Sequence, residues 1–168
     1  DAALSRFQGG LLQRSAVDDR LASADGRRGV KRARWAWANA DERSESPGES
    51  ISRMVMAWSG YELPELQPEF RYEGHLDRGD FLFSSNGTIG EADGWGKYAF
   101  DDPEIAARRL TEEKRREDRL RRHGHPIARW DLSDALRIEP LCRALSAAGV
   151  RPARPAQPHL VATMTASP

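Results

Sequence analysis

The chain has 168 residues, 26 of them basic and 26 acidic, for a formal net charge of zero. That length is enough for one domain with a real core, and the balanced charge excludes a global field drawing the protein towards nucleic acid. Cys142 is the single cysteine, which excludes a disulfide framework and suits a reducing compartment. With no apolar run of membrane-spanning length and no visible signal peptide, the expectation is a cytoplasmic protein without a membrane partner. The chain starts at Asp1 rather than Met, so an upstream segment is expected. Nearly all basic residues are Arg, with Lys only at Lys31, Lys97 and Lys114. Codon composition is enough to account for that bias, although Arg also suits bidentate phosphate contacts.

Residues 1–44 read as a polar helical segment. Ser15 can cap a short helix over Val17 to Ala24, ended by Asp25-Gly26. A second helix runs from Gly29 through Ala40 and carries Val30, Ala33, Trp35 and Trp37. Its basic run, Arg27, Arg28, Lys31, Arg32 and Arg34, suits either a solvated face or a phosphate contact. Ser46-Pro47-Gly48-Glu49 is a helix start, with Ser46 at N-cap, Pro47 at N1 and Glu49 at N3 as a capping box requires. The helix that follows places Ile51, Met54, Val55 and Trp58 on one face, and Gly60 stops it.

Phe70 to Tyr72 reads as a strand, with a turn at Glu73-Gly74. Arg78 to Lys97 reads as a hairpin turning at Asn86-Gly87. Two registers are compatible with it. A two-residue Asn-Gly turn sets Asp80 opposite Asp93; a four-residue loop over Ser84 to Gly87 sets Asp80 opposite Glu91. In both, Asp80, Glu91 and Asp93 share one face and Phe81 and Phe83 take the other. Opposed like charges about 5 Å apart at Cβ repel, so three clustered carboxylates call either for full solvation or for a cation between them, a divalent metal being the obvious one.

Asp102-Pro103-Glu104 opens a long helix to about His123, with Gly124 at C′. Its stripe of Ile105, Ala106, Leu110 and Leu120 is interrupted by Glu113, Lys114 and Glu117. Either one end of the helix is lifted into solvent, or those groups face a polar site. His125 to Trp130 reads as a buried strand. Asp131 or Ser133 caps a last helical stretch carrying Leu136, Leu141 and Leu145 and ending at Gly149. Residues 150–168, rich in Pro, Ala and Thr, read as a disordered tail.

Five stretches carry a resemblance: Glu-Ser-Pro-Gly-Glu-Ser at 45–50, Glu-Leu-Gln at 65–67, Gly-Asp-Phe-Leu-Phe at 79–83, Gly-Glu-Ala-Asp-Gly-Trp-Gly-Lys-Tyr at 90–98 and Glu-Lys-Arg-Arg-Glu-Asp-Arg-Leu-Arg at 113–121. In this order and spacing, residues 45–149 resemble the restriction-endonuclease-like core of the PD-(D/E)xK superfamily. They are most similar to the Vsr-like endonuclease domain of actinobacterial proteins, some labelled AbiEi-type antitoxins or transcriptional regulators. The resemblance implies an α/β fold: a mixed central sheet containing a hairpin, with helices on both faces.

It also implies a site. Asp80 matches the first metal-binding acid, Glu91 the acid of (D/E)xK, and Glu49 the acid often supplied by the first core helix. The lysine position is held instead by Asp93, so the catalytic role falls to Lys97 from the strand's extension or Lys114 from the helix; if neither reaches, the site binds metal without cutting or is inert. Asp80, Glu91 and Asp93 would hold Mg²⁺ or Mn²⁺, polarising a scissile phosphate and acidifying an attacking water. Arg78, Arg115 and Arg129 would meet flanking phosphates. The expected function is metal-dependent DNA hydrolysis. The alternative is an inactive nuclease-fold DNA-binding regulator or antitoxin, with DNA and a cognate toxin as partners.

Overall fold

A computed structural model describes residues 14–94 and 103–165. The chain divides into two compact units, residues 1–50 and 51–168. In the first unit, helices α1 (Arg14–Ala22) and α2 (Val30–Ala38) are nine residues each. Helix α3 (Pro47–Trp58) follows. Half of the expected capping box is built, the Glu49 amide donating to Ser46 Oγ at 3.1 Å, while the Glu49 carboxylate accepts at 2.8 Å from the Glu45 amide, one residue before the N-cap.

The second unit holds a four-stranded mixed sheet in the order β1 (Glu65–Leu66), β4 (Phe81–Phe83), β5 (Thr88–Asp93), β6 (Ile127–Asp131). A separate hairpin, β2 (Glu69–Tyr72) with β3 (His75–Arg78), lies between β1 and β4 in the chain. Strand β4 is antiparallel to both β1 and β5, and β6 joins β5 in parallel. A parallel neighbour needs a crossover, and helix α4 (Pro103–Arg122) supplies it. Its end follows the expected pattern, with Gly124 N–H bonded to Arg121 O and His125 N–H to Leu120 O. The helix start expected at Asp102 lies outside the described residues.

The β4–β5 register resolves the ambiguity in the sequence. Phe81 pairs with Gly90, Leu82 with Ile89 and Phe83 with Thr88; continued by one residue, this sets Asp80 opposite Glu91. Ser84 to Gly87 form the four-residue loop. Only Gly87 takes positive φ there, at 72°. Asn86 instead uses its side chain, accepting from Thr88 N–H at 3.1 Å and donating to Ala148 O at 3.1 Å.

Alternation along the strands sorts two apolar clusters onto the two sheet faces. Phe81, Phe83, Ala128 and Trp130 pack with Val55 and Met56 of α3 and with Leu141 and Leu145 of α6 (Glu139–Ala147). Helix α5 (Leu132–Arg137), capped by Asp131 in a capping box with Asp134, adds Ala135 to the same face. The opposite face is smaller: Ile89 with Leu120 of α4 and Phe70 of β2. Strand β6 is therefore not uniformly buried; Ala128 and Trp130 are, and Arg129 between them faces the α4 side.

Residues 151–165 differ from the expected disordered tail. The amides of Ala153 and Arg154 donate to Gly60 O at 2.8 and 3.0 Å, and that of Gln157 to Trp58 O at 2.7 Å. A final helix, α7 (Pro158–Thr165), follows. Hydrogen bonds to backbone carbonyls hold this segment, including one from the Arg154 guanidinium to Tyr61 O at 3.1 Å, and its composition carried no sign of them.

Gly90 marks the tightest point of the core. A Cβ placed there would sit 2.6 Å from Trp130 Cη2 and 3.2 Å from Phe81 Cβ. Gly90→Ala should cost about 1–3 kcal/mol by forcing one ring aside, read as a lower midpoint in urea unfolding. An unchanged midpoint would show that the Trp130 ring moves freely.

Candidate functional site

The β5 side chains on the α4 face define the site. Glu91 and Asp93 are two apart on β5, and Asp80 lies across from Glu91 on the approach to β4. All three line a cavity of about 650 Å³ whose far wall is α4. Sequence alternation thus brings together the three carboxylates it was expected to.

What stands among them is arginine. Glu91, with its side chain 5% exposed, pairs through Oε1 with Arg116 Nη2 of α4 and through Oε2 with Arg129 Nη2 of β6 at 2.5 Å. Glu113, one turn before Arg116, closes the set. It accepts from Arg116 Nε at 3.0 Å and from Arg116 Nη2 at 2.6 Å, and it pairs with Arg129 Nη2 as well. The remaining arm of Arg116, Nη1, donates to Arg78 O at 3.1 Å. Two guanidinium groups and two carboxylates form a compensated quartet. Asp93 Oδ2 stands 3.9 Å from Arg129 Nη1, and Glu117 Oε2 3.7 Å from Arg129 Nε. A second buried pair lies at the cavity edge, where Arg119 grips Asp77 with two 2.7 Å hydrogen bonds.

The electrostatics follow from this arrangement. The Arg116 hydrogen bond, opposed by burial and reinforced by Arg129, holds the Glu113 carboxyl down to about 2 from 4.5. Burial works against the charge on Arg116 and on Arg129, but their carboxylate partners outweigh it and both pKa values rise. The Arg119 fork lowers the Asp77 pKa in the same way.

Whether these residues fit Mg²⁺ or Mn²⁺ can be read from their donors. A hard divalent cation wants six or more oxygens with free lone pairs. Both oxygens of Glu91 are engaged by guanidinium groups, and Asp80 Oδ2 accepts from the Ala92 amide at 2.8 Å. Among the described residues no three His, Cys, Asp or Glu side chains are grouped so as to hold a metal ion. The donor set does not fit the ion; the positive charge it calls for is already supplied by Arg116 and Arg129.

The other expected residues divide. Glu49 belongs to the start of α3, where its carboxylate serves the Glu45 amide. Lys97 lies outside the described residues. Lys114 and Arg115 are exposed on α4 and do not line the cavity, whereas Arg78 is exposed and does. Arg129, expected to meet phosphate, is turned to Glu91 and Glu113. Of the two explanations for the polar middle of α4, Glu113 and Glu117 follow the polar site, while Ile105 and Leu110, 47% and 60% exposed, follow the lifted end. Arg116 was missed. Its signal was its place three residues after Glu113 on that same interrupted stripe.

Among known proteins, the chain is similar to the uncharacterized proteins MT2308 and Rv2248 of two Mycobacterium tuberculosis strains, each 42% identical over 84 residues. The matched stretch is 49% of this chain and 30% of each relative, so the match spans under a third of the curated relatives' length. No protein-family model matches the chain. No solved structure matches it.

Two outcomes are expected of the quartet. Removing the Glu91 charge leaves two half-buried guanidinium groups sharing Glu113 alone, so Glu91→Gln should cost about 3 kcal/mol, measured by urea unfolding; a loss under about 1 kcal/mol would mean that Glu113 compensates both arginines by itself. The Glu113 pKa is lower folded than unfolded, so its contribution is complete above about pH 4.5 and is lost as pH falls through about 2. Thermal midpoints should therefore fall on acidification in that window, and less steeply in Glu113→Gln. Equal slopes for the two proteins would exclude Glu113 as a titrating link.

Proposed function

We propose that residues 45–149 are a restriction-endonuclease-like core that does not cut, and that the protein acts as a DNA-binding regulator of the antitoxin kind. The observation that carries this reading is the pairing of Glu91 with Arg116 and Arg129. Glu91 stands at the acid position of (D/E)xK, and two fixed guanidinium charges there do the electrostatic work of a metal without its ability to activate water. Asp93 at the lysine position supports the same conclusion, because a second carboxylate in that place cannot stabilise developing negative charge.

The nuclease-like part of the reading is supported by element order. Helix α3, the β4–β5 turn, the long α4, strand β6 and the helices after it come in the order on which the resemblance rests, although Phe70–Tyr72 falls in the separate β2–β3 hairpin and β1 is the strand that joins the sheet. Asp80 and Glu91 also face each other across the turn, as a metal-binding ancestor of this site would require. The described residues contain no helix long and apolar enough to cross a membrane, and a DNA-bound regulator would work in the cytoplasm. A cognate toxin would be its second partner.

Supercoiled plasmid incubated with the protein and Mg²⁺ or Mn²⁺ should remain uncut, while a duplex fragment is retarded in a gel. Asp80→Ala should retard it equally. Metal-dependent nicking that disappears in Asp80→Ala would overturn the proposal and restore a working nuclease.

A further inference from the structure

Charge is unevenly placed in this neutral chain. Between Arg14 and Ala40, seven basic side chains stand against three acidic ones. Two of those acids are occupied within the α1–α2 pair. Asp25 pairs with Arg34 at 2.9 Å, and Asp18 accepts the Trp37 indole N–H at 2.6 Å. Together with the Arg34 hydrogen bond to Leu21 O at 2.9 Å and Arg14 stacked 4.9 Å from the Trp37 ring centre, these interactions seat α2 on α1.

That seating decides what α2 presents. Lys31, Arg32 and Trp35 fall on one helix face, since positions three and four apart are neighbours, and all three are exposed. At the start of α2, Arg27, Lys31, Arg32 and Arg34 surround one hollow of about 350 Å³, with Asp25 its single acid. Arg34 and Asp25 compensate each other. Arg27, Lys31 and Arg32 have no carboxylate partner among the described residues. The hollow lies at the start of α2, whose N-cap residue Gly29 makes no side-chain cap hydrogen bond.

Arg27, Lys31 and Arg32 therefore put positive charge around one concavity, which suits an anionic partner. We infer that this hollow takes a backbone phosphate of duplex DNA, and that the α1–α2 pair is a polynucleotide-docking surface. Duplex DNA fits better than an isolated anion because the positive surface continues past the hollow, through Arg28 in the turn, and closely spaced phosphates reward an extended basic face. This inference rests on the DNA-binding reading above and names its contact surface.

The test is fluorescence anisotropy of a labelled random-sequence duplex over a series of salt concentrations. The Arg27→Gln/Lys31→Gln/Arg32→Gln variant removes only exposed charges that have no carboxylate partner, and it should keep its far-ultraviolet circular dichroism. It should bind about tenfold or more weakly, and its salt slope should shrink by at least about 0.9, the change expected when the phosphate in the hollow is no longer neutralised. The charge-preserving Arg27→Lys/Lys31→Arg/Arg32→Lys variant should bind as the unaltered protein does. If the unaltered protein binds and the charge-removed variant matches it in affinity and slope, this inference falls while the regulator reading stands. If the charge-preserving variant also binds more weakly, the interaction is not electrostatic and the inference likewise falls. If the unaltered protein binds no duplex, both fall together.

Discussion

A buried carboxylate on the middle strand of a sheet is the constraint on which the second unit depends. Glu91 is almost wholly removed from solvent, and an ionised group in that position is costly unless a charge of opposite sign is held against it. The chain answers with Arg129 from the neighbouring parallel strand and Arg116 from the crossover helix. Those two residues are 13 apart in sequence, and both reach Glu91 only if α4 crosses the sheet at one particular height. The ion network therefore sets the position of the helix as much as the helix sets the network.

The apolar packing on that face could not do this alone. The cluster beneath α4 has three buried members, and only Leu120, near the helix end, comes from α4 itself. The opposite face is covered by a much larger set from α3, α5 and α6. Hydrophobic burial is non-directional, and a single leucine would leave α4 free to swing about its C-terminal end. Hydrogen bonds from Arg116 to Glu91 and to Arg78 O, and from Arg119 to Asp77, supply the missing direction. Such buried pairs add less net stability than their geometry suggests, because desolvation offsets much of the attraction. Their contribution lies in choosing one arrangement of helix on sheet.

The distinction between local and long-range interactions explains what the sequence disclosed. The start of α3 was legible because Ser46, Pro47 and Glu49 act on backbone groups within four residues of themselves. The common face of Asp80, Glu91 and Asp93 was legible because strand alternation needs no knowledge of the fold. The register was only narrowed to two, and the loop that goes with the observed one is tied to distant Ala148 O, which takes both Asn86 Nδ2 and Thr88 Oγ1. The Glu91 partners were out of reach for the same reason: Arg116 is 25 residues away on another element. Docking of the segment after Val150 was hidden more completely, since it depends on carbonyls of Trp58 and Gly60 that no side-chain pattern records.

The abundance of arginine bears on this as well. Base composition alone can fill a surface with Arg, and many exposed positions here ask for nothing more than charge. Position 116 asks for more. Its guanidinium meets Glu91, both oxygens of Glu113 and the Arg78 carbonyl at once, from three separate nitrogens. A lysine ammonium is a compact point charge on a flexible stem and cannot span partners on three elements. Arg119 meets Asp77 through two parallel bonds, which is again the geometry of a planar fork. A site that holds its carboxylates with such forks differs in kind from one waiting for a metal. A bound ion can leave and be replaced, whereas a guanidinium tethered to β6 or α4 stays in place for as long as the sheet is folded.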